Sequence, residues 1–190
     1  MPGDASASPR CPEADPDRNV FFGDLHVHTS LSSDAWLFDV RSTPDDAYRY
    51  GFGGEVALPP LDEAGVPVRR HANPRALDFM AVTDHAEFLG ELAICTSPDA
   101  EGYRSGFCEE LRTAEGRPRK LIAKIVSPFP RRDAEVCGGQ GERCAAGARA
   151  LWGEIRAAAA RWNEPCRRTT FVAYEYSSFR MGSNLHRNVI

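Results

Sequence analysis

Short apolar segments alternate with helix-like segments along most of the chain. Residues 19–27 and 77–83 are rich in apolar side chains, and residues 169–176 are β-branched and aromatic. Each of the three segments predicts a strand, because such side chains suit the pleated surface of a buried sheet. Helices are predicted at residues 44–50, 87–94, 103–113 and 145–162. Strands that alternate with helices indicate an α/β fold with a parallel sheet.

The remaining segments give weaker patterns. Residues 54–76 contain several Pro and Gly residues and favour an excursion from the sheet, for which a small hairpin is one possible form. Residues 121–126 fit either a third strand or a longer helix, and residues 186–190 begin a further extended segment. We predict a disordered arm over residues 1–18, which are rich in Pro, Asp and Ser, and one folded domain over residues 19–190.

Composition and charge exclude some classes of partner. The chain has 190 residues, enough for one sizeable core, and a formal net charge of −4. This charge gives no reason to expect nucleic acid, because proteins that bind it usually carry a basic face. No apolar run approaches the roughly 18 residues that a membrane span needs, so we predict no membrane span. The oligomeric state stays open.

The cysteine content bears on the compartment. The chain contains six cysteines: Cys11, Cys95, Cys108, Cys137, Cys144 and Cys166. Cys137 and Cys144 enclose a glycine-rich loop that a disulfide could close, and Cys95 and Cys108 flank another loop. This pattern favours a periplasmic or secreted protein, although no signal peptide is visible. The alternative is a set of free thiols. No pair has the CxxC spacing of a zinc site.

Two histidines at the end of the first predicted strand give the strongest chemical signal. His26 and His28 point to the same side, because side chains alternate along a strand, so both imidazoles can converge on one metal ion. Asp24 points to the same side of the strand and could orient a ligand histidine without binding the metal itself. Asp34, at the end of the following polar loop, could bend back as an oxygen ligand.

Two later segments place similar groups near strand ends. Asp84 and His85 directly follow the second predicted strand, and functional residues of parallel α/β proteins gather at the carboxyl ends of strands. Asp84 could ligate a metal, hold an imidazole or cap a helix. Glu175 lies among aromatic strand residues, where an unpaired carboxylate is costly to bury. Metal binding would offset that cost; a strand-end glutamate in water or paired with an arginine is the alternative.

The last segment adds one more histidine and two candidate anion contacts. His186 begins the final extended segment, and Arg180 and Arg187 lie near it in sequence, where they could hold an anionic small-molecule substrate. His71 has no strand end beside it, and we interpret it as a surface histidine. Together these residues make a metal-dependent enzyme the leading hypothesis.

Taken together, the motifs resemble the PHP (polymerase and histidinol phosphatase) superfamily, and in particular a PHP-related bacterial family of unknown function. The segments that carry the resemblance are residues 22–29, 43–48, 77–87, 174–176 and 184–188. The resemblance implies a distorted (β/α)7 barrel with up to three metal ions at the strand carboxyl ends. The family also has a later His and a final Asp-x-His motif. Neither is present before Ile190, so we expect the chain to be the N-terminal portion of such a barrel and inactive by itself.

The resemblance also implies a role for each candidate ligand. His26 and His28 would bind a first metal, and Glu175 would bridge it to a second metal that His186 also binds. Asp34 and His85 would bind a third. Mixed imidazole and carboxylate ligands suit Zn, Mn or Fe and do not decide among them.

The function that we expect is metal-dependent hydrolysis, with a phosphoester as the leading substrate class. A metal-activated water would be the nucleophile, so no separate catalytic side chain is required. Two alternatives stay open. An amidohydrolase also begins with HxH on its first strand and would cleave a C–N or C–O bond, and a non-catalytic metal-binding module would explain an incomplete ligand set.

Overall fold

Six helices and seven strands make up the part of the chain that the computed structural model describes, namely residues 11–12, 19–113, 132–178 and 185–190. The strands are β1 Gly23–Val27, β2 Glu55–Leu61, β3 Pro67–Ala72, β4 Phe79–Val82, β5 Thr169–Val172, β6 Tyr174–Ser178 and β7 Leu185–Val189. The helices are α1 Ser33–Leu37, α2 Pro44–Gly51, α3 Leu89–Cys95, α4 Gly106–Thr113, α5 Ala134–Cys137 and α6 Glu142–Trp162. The predicted mixture of helices and strands is confirmed.

The central sheet has three parallel strands in the order β1-β4-β5. Asp24 pairs with Met80, and Val82 pairs with both Val27 and Val172. All three strands were predicted, although β1 begins four residues later than expected. Because the strands are parallel, their carboxyl ends meet at one edge of the sheet. The described residues form one three-stranded and two two-stranded sheets and no closed barrel, so the expected portion of a (β/α)7 barrel is not confirmed.

Two antiparallel hairpins flank this sheet. Strands β2 and β3 pair over residues 55–72, which confirms the small hairpin predicted in the excursion. Strands β6 and β7 form the second hairpin. The single strand predicted over residues 169–176 is wrong, because the chain breaks at the buried Ala173: β5 pairs with β4, whereas β6 turns to pair with β7.

Local capping chemistry fixes the helix ends. Thr43 and Asp46 form a reciprocal capping box at the start of α2. Helix α6 begins three residues earlier than predicted, directly after Gly141, whose φ of +80° suits glycine. Helix α4 begins later than predicted, at Gly106. Ser105 caps its first turn, because the Ser105 hydroxyl accepts a hydrogen bond from the Cys108 N–H. Helices α1 and α5 were missed, because they are too short to show a periodic pattern.

Two apolar clusters support the sheet and helices. The first joins α2, β4 and α6, and its buried members are Ala47, Tyr48, Met80, Val82, Ala158 and Ala159. The second joins α3, α4, α5 and α6. Helices α3 and α6 approach so closely that a Cβ on Gly90 would collide with the Cys144 carbonyl. The close approach fixes α3, and with it the loop that leads from β4.

All six cysteines are paired in three disulfides. Cys95–Cys108 joins α3 to α4, and Cys137–Cys144 closes the loop between α5 and α6. Both pairings agree with the sequence prediction, and the free-thiol alternative is wrong. A third disulfide, Cys11–Cys166, was not predicted. Three disulfides fit an extracellular location.

Some sequence predictions fall outside the described residues. These are the alternative strand or helix at residues 121–126, Arg180, and almost all of the arm predicted over residues 1–18, of which only Cys11 and Pro12 are described. Among the described helices, none combines the length and apolar character of a membrane span.

The disulfide pattern predicts a measurable loss of stability. Replacing both Cys95 and Cys108 by Ser opens a loop with a sequence separation of 13 residues and should lower the free energy of unfolding by about 3 kcal/mol. Urea denaturation measures this loss. Peptide mapping without reduction should give the three linked pairs, and any other pairing would contradict the fold described here.

The Tyr48 hydroxyl predicts a second effect on stability. This fully buried hydroxyl lies 3.3 Å from the Phe171 carbonyl, to which it donates, and 3.4 Å from the Val82 N–H, from which it accepts. Tyr48→Phe should cost about 1–2 kcal/mol, because both backbone groups lose a partner. Tyr50→Phe, which changes a half-buried hydroxyl on the same helix, should cost less than about 0.5 kcal/mol. Equal costs for the two variants would contradict this assignment.

Candidate metal centre

The candidate site lies where the parallel strands end. His26 is in β1 and His28 directly follows it, while His85 comes three residues after β4. Glu175 belongs to β6 and forms an isolated parallel bridge with His85. The bridge is held by backbone hydrogen bonds from the Glu175 N–H to the Asp84 carbonyl and from the Ala86 N–H to the Glu175 carbonyl. The chain therefore brings residues of three strands to one edge of the sheet.

Glu175 is the centre of the cluster and is 1% exposed. Its Oε2 atom lies 2.9 Å from His26 Nε2, 2.7 Å from His28 Nε2 and 3.9 Å from His85 Nε2. Its Oε1 atom lies against His186 Nδ1. One buried carboxylate thus contacts or closely approaches four imidazoles.

Asp34 supplies the second carboxylate from the first turn of α1. Its Oδ2 atom lies 3.0 Å from His28 Nδ1 and 3.7 Å from His85 Nε2. The Oδ1 atom accepts hydrogen bonds from the Ser32 hydroxyl and the Ala35 N–H. Because α1 folds the polar loop back toward β1, the half-exposed Asp34 side chain reaches the cluster.

The four imidazoles form a row along the site. Ring centroids are 5.1 Å apart for His26 and His28, 4.8 Å apart for His28 and His85, and 5.1 Å apart for His85 and His186. Potential ligand atoms lie within 4.8 Å of one another in three groups: His26, His28 and Glu175; His28, Asp34 and His85; and His85, Glu175 and His186. Each group shares one residue with each of the others, so the three groups are adjacent.

The electrostatics of the cluster favour positive charge. Burial of His28 disfavours its charged form, but Asp34 and Glu175 outweigh burial and raise the pKa of His28 to about 9. Burial would raise the pKa of Asp34, yet hydrogen bonds from His28 and Ser32 hold that pKa well below its usual range. Burial also opposes ionisation of Glu175, but the surrounding imidazoles, His28 first among them, lower its pKa. Both carboxylates are therefore ionised and attract cations.

The donor set fits divalent metal ions. The ion pairs that the described residues make with Glu175 are all to histidines. Its buried Oε1 atom accepts no hydrogen bond of ordinary geometry from the part of the chain that is described. A buried carboxylate needs compensation, and imidazole nitrogens with carboxylate oxygens are ligands that Zn, Mn and Fe accept. The cluster thus meets the chemical requirement for a metal centre.

The two predicted supporting aspartates accept hydrogen bonds from groups other than imidazoles. The Asp24 carboxylate accepts a hydrogen bond from the His26 N–H at 2.9 Å and remains exposed. The buried Asp84 carboxylate accepts from the Thr29 N–H at 2.5 Å and from the Thr29 hydroxyl at 2.7 Å. Burial raises the pKa of Asp84 to about 6, although the hydrogen bonds from Thr29 oppose this shift. Asp84 therefore fixes the turn that follows His28.

The other predicted residues lie away from the cluster or outside the described residues. Arg187 follows His186 on the exposed strand β7 and therefore points to the opposite face of the hairpin, so it is not brought to the cluster. Arg180 falls outside the described residues. His71 is exposed on β3 and lies 3.2 Å from the Tyr50 hydroxyl, as expected of a surface histidine.

Sequence reasoning missed Ser32, which contacts His28 and Asp34, and two residues that support His85. The buried Ser177 hydroxyl lies 2.9 Å from His85 Nδ1 and 3.1 Å from His186 Nδ1. Glu87 lies 3.4 Å from His85 Nδ1 and accepts a hydrogen bond from the Ser177 N–H. Because Nδ1 of His85 is engaged, Nε2 faces Asp34 and Glu175. Strand alternation from Glu175 would have indicated Ser177, whereas nothing in the sequence distinguishes Glu87.

A fourth group of potential ligands carries no metal chemistry. Glu91 lies close to Cys137 and Cys144, but these two cysteines form a disulfide and offer no thiolate. The buried Glu91 carboxylate instead accepts from Arg132 at 2.6 Å. This ion pair joins α3 to the segment that precedes α5.

The profile of one protein family, described as "Protein of unknown function (DUF3604)", matches residues 15–190. The chain belongs to this family. No curated protein and no solved structure matches it. The assignment to the PHP superfamily is wrong, because the matching family is DUF3604 and no PHP family matches. The DUF3604 description assigns no activity, so the candidate ligands rest on the distances given above.

The geometry predicts metal binding that depends on the central imidazoles. After chelation and dialysis against Mn²⁺, Zn²⁺ or Fe²⁺ in turn, the chain should hold two or three ions by elemental analysis. His28→Ala and His85→Ala should each lose at least one ion, since each histidine belongs to two ligand groups. Metal at a hundredfold excess over Kd should stabilise the chain by about 2.7 kcal/mol.

His71→Ala is the matched control, because it removes an exposed imidazole that belongs to none of the ligand groups. This variant should bind as many ions as the unaltered chain. Equal metal content in all three variants would show that the cluster holds no ion.

Proposed function

We propose that the protein is a metal-dependent hydrolase and that its substrate is a phosphoester. The observation that carries the proposal is the convergence of four imidazoles on the buried Glu175, with Asp34 beside them. Three ligand groups that share members would place ions next to one another. Adjacent divalent ions suit phosphoester cleavage, because the phosphate and the attacking and leaving oxygens together carry several negative charges.

The proposed ligands divide among three positions. His26, His28 and Glu175 would hold one ion, and Asp34 and His85 a second. Glu175 and His186 would hold a third, with Zn, Mn or Fe as candidates. Bound ions would lower the pKa of a water molecule and offset charge on the phosphate oxygens.

The other residues of the site would act by holding these ligands. Ser32 contacts His28 Nδ1 together with the proposed ligand Asp34, which leaves His28 Nε2 directed at Glu175. Ser177 and Glu87 hold His85 in the same way through its Nδ1 atom. Such carboxylate and hydroxyl partners fix the ring orientation and the tautomer of a ligand histidine. No general base from the protein is assigned.

We also propose that β1, β4 and β5 are successive strands of a larger (β/α) arrangement of barrel type. Their parallel pairing in chain order supports this, as does a cluster at their carboxyl ends. The three disulfides support a periplasmic or secreted location for the protein.

The test of the proposed activity is hydrolysis of 4-nitrophenyl phosphate by the full-length natural protein after loading with each metal. His28→Ala should lower kcat/KM by at least about 100-fold, because it removes one of the three proposed ligands of the first ion. His71→Ala should leave kcat/KM unchanged. Activity that survives in His28→Ala would contradict the proposal.

The same assay distinguishes the other functions. A panel that includes an amide and a carboxylic ester identifies an amidohydrolase if only C–N or C–O bonds are cleaved. Retention of metal without hydrolysis of any substrate would instead indicate a non-catalytic metal-binding module. A catalytic centre should keep open coordination positions, whereas a structural site holds one closed ion.

A further inference from the structure

A cleft of about 570 Å³ opens beside the histidine cluster. It lies between β1, α2 and the β2–β3 hairpin, and His26 and His28 stand among its lining residues. Its apolar side chains come from β1, α2, the hairpin and the neighbouring segments, and include Val27, Val40, Ala47, Val56, Leu58 and Met80. A volume of this size suits a drug-sized organic group.

The cleft presents almost no fixed charge to a ligand. Among the described residues that line it, none is a lysine or an arginine, and the one carboxylate is Asp24. Asp24 already accepts a hydrogen bond from the His26 N–H. Away from the histidine cluster, a second anionic group on a ligand would therefore meet a negative charge and no lysine or arginine among the described lining residues.

The neutral polar side chains of the cleft also have partners within the protein. The Ser42 hydroxyl donates to the Ala57 carbonyl at 3.4 Å, and the Asn73 amide donates to the Gly51 carbonyl at 3.4 Å. The Tyr50 hydroxyl lies 3.2 Å from His71 Nδ1. A ligand with many hydroxyl groups would lose its water contacts here and gain few replacements, which weakens binding.

We propose that this cleft binds the organic part of the substrate and that this part is uncharged and largely apolar. The inference rests on the proposed function, in which the phosphate meets the histidine cluster. The substrate class is then a phosphate monoester of a phenol or another apolar alcohol. Sugar phosphates and nucleotides are disfavoured, because in the described part of the cleft their hydroxyl groups would find few hydrogen-bond partners and their additional phosphates no lysine or arginine.

The binding test uses a pair of stable phosphonates on the metal-loaded protein. Isothermal titration calorimetry should show that 2-naphthylmethylphosphonate binds at least tenfold more tightly than methylphosphonate. Leu58→Trp should abolish this preference by filling the cleft, and it should leave the affinity for methylphosphonate unchanged. Val68→Trp makes a comparable change on an exposed face of the same hairpin and should keep the preference. Val40→Trp fills the cleft from a different segment and guards against a local folding defect.

Uncharged 2-naphthylmethanol separates the cleft from the proposed chemistry. It should bind the unaltered protein and Val68→Trp, but not Leu58→Trp or Val40→Trp. If it binds in this pattern while no phosphate ester is hydrolysed, the proposed hydrolase fails and the apolar site stands. The opposite result would be equal kcat/KM for 2-naphthyl phosphate and glycerol phosphate, together with binding of 2-naphthylmethylphosphonate and 2-naphthylmethanol that Leu58→Trp and Val40→Trp do not change. That result overturns the cleft inference, and the hydrolase stands.

Discussion

A buried carboxylate surrounded by imidazoles is the interaction on which the rest of the site depends. Glu175 is almost completely removed from solvent, and a carboxylate in that position requires positive charge or hydrogen bonds nearby. The chain provides imidazoles from β1, from the loop after β4 and from β7. The break at Ala173 is part of the same arrangement, because it carries β6 away from the sheet and lets Glu175 bridge to His85.

The surrounding helices, disulfides and hydrogen bonds restrict the positions of these imidazoles. Close contact between α3 and α6 at Gly90 and the two disulfides among the helices fix the element that follows His85. On the other strand, Asp84 holds Thr29 and therefore the turn after His28. The imidazoles of His28 and His85 thus face each other from two restrained loops, which is the condition for a preorganised site.

Much of the parallel sheet and most of the cluster could be predicted from the sequence, because the signals are local. An apolar strand followed by His-x-His, or by Asp-His, identifies both the element and the edge at which its side chains gather. The turn at Ala173 could not be predicted, since the aromatic and β-branched run continues through it and only pairing with β7 separates β6 from β5. The role of Glu87 could not be predicted for a similar reason. Its contact with His85 depends on the path of the chain, and glutamate is common on protein surfaces.

The cluster unites residues from opposite ends of the described chain. Glu175 lies 149 residues from His26 and 147 from His28, and the Asn188 side chain of β7 donates to the Leu25 carbonyl of β1 across 163 residues. Contacts of such long range form late in folding, because closing large loops costs conformational entropy before any contact rewards it. A partly folded intermediate that lacks either end would therefore have no cluster, and a spectroscopic probe placed among these imidazoles would report completion of the fold instead of its nucleation.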